Sequence, residues 1–171
     1  ASWDVSGLQV AAHRQNVTKL AVCLDPTPAS VGTALEQGAQ FILSHHPLLL
    51  KAVLPNRLDD YHAVLRLLFQ ADVPLYAAHT SLHVNAYGPA GWLARTLELG
   101  NLAVLEPVAP AQGDTLPLGF GLAGDLPQPM SVRQIAGIIA SNAPLATATV
   151  SGPEPQTVTR VGYCTGSGSS L

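Results

Sequence analysis

The sequence predicts an α/β protein with a mainly parallel sheet and helices on both faces. Apolar runs of strand length alternate along the chain with stretches of helical period, and turn residues separate them. A β-α-β-α-β-α order is typical of a parallel sheet, because each crossover helix returns the chain to the same end of the sheet. The 171 residues, 47% of them hydrophobic, are enough to bury a sizeable core.

The elements of the first half follow from these patterns in order. Residues 19–24 form a continuous apolar run closed by an Asp-Pro turn, which predicts a strand. The predicted helix at residues 29–38 ends at a glycine, as helices often do. After a strand at residues 41–43, residues 58–71 place apolar side chains three and four positions apart, which predicts an amphipathic helix.

The predicted elements divide into two lobes. A strand at residues 73–78 and a helix at residues 88–99 complete an N-terminal lobe, residues 1–105, that carries the paired-histidine motif. The Pro- and Gly-rich stretch that follows indicates a change of unit, so residues 106–171 are predicted as the start of a second α/β lobe, incomplete at its C-terminus. Its predicted elements are β-structure at 118–126, a helix at 131–142, and strands at 146–150 and 159–164.

The charge content limits the classes of partner. Only 11% of the residues are charged, against roughly 25% in ordinary soluble domains, which favours subunit contacts through apolar surface. The net charge of −3 gives no basic footprint for nucleic acid. No apolar run is long enough to span a membrane and no signal peptide is visible, so we expect a cytoplasmic protein that binds neither nucleic acid nor membranes.

Two cysteines, Cys23 and Cys164, lie in separate apolar segments. Their spacing matches neither a disulfide framework nor a zinc knuckle. We interpret them as buried thiols, and a sulfur ligand at a metal is the alternative.

Four histidines follow two predicted strands at the points where the strands end. His45 and His46 precede Pro47, which has no N–H to give a strand ladder, and His79 and His83 follow the next strand. Because right-handed crossovers keep the strands parallel, their ends lie at one edge and these side chains can meet. Adjacent imidazoles at such a turn suit two metal ions roughly 3.5 to 4 Å apart, and neutral nitrogen donors suit a metal such as zinc.

Other interpretations stay open on spacing alone. The His-His-Pro pair can be structural, His79 can bond a backbone carbonyl, and His83 can be a solvated loop residue. Asp25 is either a further carboxylate of the site or a turn residue before a proline, and Asp4 is interpreted as a residue of a tight turn. Two histidines lie outside the predicted site: His13 and His62.

Four ordered motifs resemble the NIF-three-like family, whose members carry the label GTP cyclohydrolase I type 2. They are Trp-Asp-Val-Ser-Gly-Leu-Gln-Val at 3–10, Leu-Asp-Pro-Thr at 24–27, Leu-Ser-His-His-Pro-Leu at 43–48 and Ala-His-Thr-Ser-Leu-His at 78–83. The resemblance implies a fold of two α/β lobes and a dinuclear centre of two divalent ions (Zn, Mn, Fe or Co). It also implies a homo-oligomeric ring, commonly a homohexamer.

The resemblance further implies which residues bind the ions. His45 and His46 match the family's paired metal ligands, and His83 stands where the family has a ligating aspartate. A histidine can replace that aspartate as a ligand, but it gives up a negative charge that offsets two dications. The family's later His and Glu ligands are expected beyond Leu171, so the site in this chain is predicted to be partly built and can be empty.

Two functions are predicted. The first is a cytoplasmic metal-dependent hydrolase of a nucleotide or related small molecule, with His45, His46 and His83 as ligands and a metal-activated water as nucleophile. The alternative is a non-catalytic oligomeric scaffold or binding protein with a structural, degenerate or empty metal site. The low charge content and the histidine at position 83 favour the alternative.

Overall fold

The computed structural model describes residues 4–143, 148–152 and 157–166. The chain divides into two compact units, Ala1–Ser81 and Leu82–Leu171. The division falls inside a short helix, α3 (Thr80–His83), which the sequence patterns left as a loop. The boundary predicted from the sequence lies later, after residue 105.

The first unit contains a four-stranded sheet. Its strands are β1 (Gly7–Val10), β2 (Leu20–Cys23), β3 (Phe41–Ser44) and β4 (Leu75–Ala77), in the spatial order β1-β4-β3-β2. Strands β2, β3 and β4 are parallel, whereas β1 pairs antiparallel with β4. The α/β class and the mainly parallel sheet are therefore confirmed, and β1 is an antiparallel edge strand that the sequence patterns missed.

Two crossover helices join the parallel strands. The N-cap residue of helix α1 (Pro28–Glu36) is Thr27, which forms a capping box with Ser30. The N-cap residue of helix α2 (Asp60–Ala71) is Asp59, whose carboxylate accepts from the backbone N–H of His62 in the first turn. The chain moves in one direction from β2 through β3 to β4, and right-handed crossovers then place both helices on the same face. The described residues of the first unit thus contain a mainly parallel sheet with two crossover helices, as the sequence predicts.

The core of the first unit lies between these helices and one face of the sheet. Its most deeply buried side chains are Val31, Ile42, Val64, Leu68 and Leu75. Side chains of the opposite face alternate with the core residues along β2, β3 and β4, and a register shift between Leu8 and Val10 places Leu8 opposite Tyr76 on that face. Four apolar residues on that face are exposed: Leu8, Leu20, Val22 and Tyr76.

The second unit is built on an antiparallel sheet. Strands β5 (Gly100–Ala109), β6 (Leu118–Ser131) and β7 (Thr157–Tyr163) lie in the order β5-β6-β7, with both pairs antiparallel. Helices α4 (Pro89–Thr96) and α5 (Val132–Asn142) contact β6. The third helix of the sequence analysis therefore belongs to this unit rather than to the first.

Strand β5 overlaps the stretch that the sequence analysis took as a link between lobes. Its Pro107 is tolerated because β5 is an edge strand, where a missing N–H breaks no central ladder. A Cβ at Gly119 would lie 2.2 Å from the carbonyl oxygen of Glu106, so this close pairing of β6 with β5 requires a glycine. Proline and glycine thus mark a tightly paired ladder here.

Some predictions fall outside the described residues. The predicted strand at 146–150 begins among residues 144–147, which are not described, and residues 148–150 are irregular. Trp3 and the glycine- and serine-rich stretch 167–171 also lie outside the described residues. None of the helices in the described ranges is long and apolar enough to cross a membrane.

Candidate metal centre

The paired histidines lie where β3 ends. The backbone N–H of His45 donates to the carbonyl of Cys23 at 3.0 Å, and that of His46 donates to the carbonyl of Leu24 at 2.9 Å. These bonds hold the backbone of both histidines against the end of β2 and the residue that follows it. His79 comes two residues after the end of β4, the other neighbour of β3.

The structure brings three strand-end imidazoles together. The ring centroids of His45 and His46 lie 4.8 Å apart, those of His45 and His79 lie 5.3 Å apart, and those of His46 and His79 lie 5.5 Å apart. The parallel pairing of β3 with β4 causes this proximity, because it places their C-terminal ends side by side.

A second grouping of nitrogens includes His83, the last residue of α3 and four positions after His79. One ring nitrogen from each of His45, His79 and His83 lies within 4.8 Å of the others, so this triad could hold a metal ion. The ligands predicted from the sequence were His45, His46 and His83. His79 was expected near these ligands but was not predicted as one of them.

Two of the imidazoles contact carboxylates through Nδ1. His79 Nδ1 lies 2.7 Å from Asp4 Oδ1, and His46 Nδ1 lies 2.6 Å from Asp25 Oδ1. An ionised carboxylate only accepts hydrogen bonds, so when the imidazole is neutral its Nδ1 carries the proton and its Nε2 carries the lone pair. Such carboxylate–histidine contacts are typical of histidines that bind metals.

The other two imidazoles contact neutral oxygens. His45 hydrogen-bonds the backbone of Ala78, and His83 Nδ1 lies 3.2 Å from Thr165 Oγ1. All four strand-end histidines therefore have a ring hydrogen bond to the protein that restricts their rotation. Tertiary contacts of this kind could not be inferred from histidine spacing.

Asp4 is part of a dense hydrogen-bond network. Its side chain is only 2% exposed. Burial alone would raise its pKa, but hydrogen bonds from Ser6, Thr80 and His79 outweigh burial and hold the pKa of Asp4 well below its usual range. Asp4 also makes the tight-turn contact with Ser6 that its sequence context suggested.

Asp25 makes a turn contact and also contacts one histidine of the cluster. Its backbone carbonyl accepts from the N–H of Thr27 at 3.0 Å, which is a turn contact before α1. Its carboxylate contacts His46 at the edge of the histidine cluster. This pair is open to solvent, with 55% of the Asp25 side chain and 44% of the His46 side chain exposed.

The electrostatic surroundings favour a neutral imidazole at His45. Burial lowers the pKa of His45, and the neighbouring rings of His46 and His79 lower it further. A neutral imidazole has a lone pair for a metal, whereas an imidazolium has none. Neutral nitrogens, oriented by oxygens of the protein, fit a divalent ion of the zinc type.

Other candidate residues lie outside this donor set. Burial raises the pKa of the Cys23 thiol, and neither Cys23 nor Cys164 joins a group of potential ligands within the described ranges. His13 contacts Asp72 at 3.3 Å through a fully exposed ring. No carboxylate joins the His45, His79 and His83 triad among the residues that the structure describes.

Comparisons with known proteins give both sequence relatives and similar solved structures. A Staphylococcus aureus protein named GTP cyclohydrolase 1 type 2 homolog is 38% identical over 105 residues, which are 61% of this chain and 29% of that protein. A Streptomyces coelicolor protein of the same name is 32% identical over 175 residues, covering 99% of this chain and 60% of its own length. The chain thus spans less than two thirds of these curated relatives.

A solved structure agrees with the sequence relatives. A Staphylococcus aureus crystal structure superposes with a TM-score of 0.80 at 25% identity, covering 99% of this chain and 68% of that one. The sequence profile of the Duf34/NIF3 (NGG1p interacting factor 3) family matches residues 1–171. The chain therefore belongs to the Duf34/NIF3 family.

Proposed function

We propose that the protein is a metal-dependent hydrolase acting on a nucleotide or related small molecule, in line with the name GTP cyclohydrolase 1 type 2 homolog that its relatives carry. One observation supports this above the others: the strand-end imidazoles are gathered together, and each is hydrogen-bonded to the protein. Surface histidines need no such support, whereas metal ligands usually have it.

The chain's own residues would bind and orient the ion. His45 belongs to both groupings and contributes a neutral ring nitrogen, with His79 and His83 completing the triad. A bound divalent ion supplies Lewis-acid polarisation of a substrate oxygen and lowers the pKa of water towards neutrality. Asp25 keeps a proton on His46 Nδ1, which leaves Nε2 as the basic nitrogen of that ring at the solvent-exposed edge of the cluster.

A dinuclear centre is the finer form of this proposal, with His45, His46 and His83 among its ligands. The adjacent rings of His45 and His46 support it, because neighbouring imidazoles can each bind one of two ions. An imidazole at position 83 supplies no negative charge where the family has an aspartate, so we expect weaker retention of a second ion than of the first.

Assembly as a homo-oligomer, with a hexameric ring as the expected form, is also a proposal. The low charge content and the exposed apolar residues Leu8, Leu20 and Val22 support subunit contacts. Light scattering of the full-length protein gives the oligomer size directly, and a monomer at micromolar concentration would contradict the proposal.

The function is tested by metal analysis and turnover of the full-length protein. We expect at least about one divalent ion per chain after purification and hydrolysis of one member of a nucleotide and phosphoester panel with added zinc, manganese or cobalt. His46→Ala should abolish turnover, whereas His13→Ala, which removes an exposed ring outside the cluster, should not.

The same experiment separates the hydrolase from the scaffold. A specific observation favours the scaffold, since no carboxylate joins the described triad to bridge two ions. Metal-loaded protein that is inert on every substrate would support the scaffold. Metal content that His45→Ala and His46→Ala leave unchanged would overturn the metal centre itself.

A further inference from the structure

The buried carboxylate of Asp4 lies directly behind the histidine cluster. We propose that Asp4 is a positioning residue for the metal centre, which fixes the tautomer and the orientation of His79 so that Nε2 is the nitrogen available to a metal. This inference rests on the proposed function only where it concerns the metal; the tautomer is a property of the metal-free protein.

The two oxygens of Asp4 have separate partners. Oδ2 accepts from the backbone and side chain of Ser6 and from the backbone and side chain of Thr80. Oδ1 accepts from His79 Nδ1 at 2.7 Å. Four donors on one oxygen fix the rotation of the carboxylate, and the other oxygen is thereby directed at the imidazole.

The fold keeps these partners together. Gly7 in β1 pairs with Ala77 in β4, so the residues just before β1 lie beside the residues just after β4. Asp4 and His79 are 75 positions apart in the chain and meet for this reason. The backbone N–H of His79 also donates to Ser6 Oγ at 3.2 Å, which fixes the main chain beneath the ring.

The chemical consequence follows from the carboxylate being ionised and accepting only. A neutral His79 bonded to it must carry its proton on Nδ1, so Nε2 keeps its lone pair. With the opposite tautomer, Nδ1 and Oδ1 would face each other without a proton between them, which is unfavourable in a buried site. Loss of such a carboxylate partner typically lowers metal affinity by about 10- to 100-fold.

The tautomer is read by nitrogen-15 NMR of histidine-labelled, metal-free protein at about pH 8, where an ordinary imidazole is neutral. In the wild type we expect His79 to show a protonated Nδ1 and an unprotonated Nε2. In Asp4→Asn the amide can donate or accept, so we expect a shift towards the Nε2–H tautomer. A wild-type His79 protonated on Nε2 would overturn the proposal even if the variant failed to fold.

A zinc titration separates positioning from a purely structural role. Asp4→Asn should weaken zinc binding about 10- to 100-fold. Ser6→Ala removes a hydroxyl that donates to Asp4 and accepts from the backbone N–H of His79, but it leaves the Asp4–His79 contact. It should therefore leave the proton of metal-free His79 on Nδ1 and weaken zinc binding less than Asp4→Asn does. Equal affinity losses in both variants would overturn the positioning role.

A matched control comes from the exposed pair of Asp72 and His13, whose contact has the same chemistry away from the cluster. Asp72→Asn should leave the His79 signals and zinc binding unchanged. Wild-type protein that binds no zinc would overturn the proposed function, whereas the metal-free NMR result would still decide the role of Asp4.

Discussion

Two carboxylate–imidazole pairs flank the same histidine cluster, and they differ in surroundings rather than in length. Asp4–His79 spans 2.7 Å and Asp25–His46 spans 2.6 Å. The Asp4 side chain is 2% exposed and has four further donors, whereas the Asp25 side chain is 55% exposed. A short distance alone therefore does not measure how much a pair contributes to the stability of the fold, because exposure to solvent and the other hydrogen-bond partners set the net free energy of the pair.

The largest difference is expected in folding stability. Asp4→Ala leaves the buried donors of Ser6, Thr80 and His79 unsatisfied, which should lower the free energy of unfolding by about 3 kcal/mol. Asp25→Ala removes a solvent-exposed contact and should cost less than about 1 kcal/mol. Urea unfolding of metal-free protein measures both values, and equal losses would contradict the comparison.

The next difference is expected in metal affinity. Asp4→Asn should weaken zinc binding by about 10- to 100-fold, because His79 loses the partner that fixes its tautomer. Asp25→Asn should weaken it by less than about tenfold, since His46 is partly solvated and its ring can be oriented by water. A competition titration with a zinc chelator measures both affinities. A greater loss for Asp25→Asn would reverse the proposed roles of the two pairs.

The smallest effect is expected at a third pair, Asp72 with His13, which is outside the cluster. Hydrogen bonds from the backbone and ring of His13 hold the pKa of Asp72 below its usual value, although slight burial opposes them. The ionised carboxylate therefore stabilises the fold above the ordinary Asp pKa, and this contribution is lost as pH falls through the lower, folded value.

Asp72→Asn removes the pH-dependent stabilisation that the ionised Asp72 carboxylate provides. Its difference in stability from the wild type should be small and constant near neutral pH and should shrink in acid. Thermal unfolding between about pH 3 and pH 7 checks this, because an ordinary Asp titrates within that window. A difference in stability between Asp72→Asn and the wild type that grew as the pH fell would contradict this prediction.

The sequence predicted the parts of the site that depend on local pattern. His45 and His46 precede Pro47 at the end of an apolar run, and parallel crossovers bring their strand end beside the one before His79. The partner of His79 was not predictable in this way. It depends on β1 pairing antiparallel with β4, and β1 is a four-residue strand that begins at a glycine with a positive φ of 122°.

Other features of the fold could not be predicted from the sequence for similar physical reasons. Proline and glycine in residues 106–114 indicated a change of unit, but Pro107 lies in the edge strand β5, which pairs with β6. The order of the strands in the first sheet was not predictable, because spacing along the chain does not encode it. Capping residues such as Thr27 and Ser131 were easier to interpret, because a cap acts within three residues.

The central claim is that the strand-end imidazoles bind a divalent metal, and a cobalt(II) titration of metal-stripped, full-length protein tests it most directly. His45 and His79 each belong to both groups of imidazoles, but His79 also contacts the buried carboxylate of Asp4. His45→Ala is therefore the most direct variant, with His13→Ala as its matched control. We expect visible absorption bands of nitrogen-bound cobalt in the wild type and in His13→Ala. In His45→Ala we expect the affinity for cobalt to be at least about 100-fold lower. Equal cobalt affinity and unchanged bands in His45→Ala would contradict it.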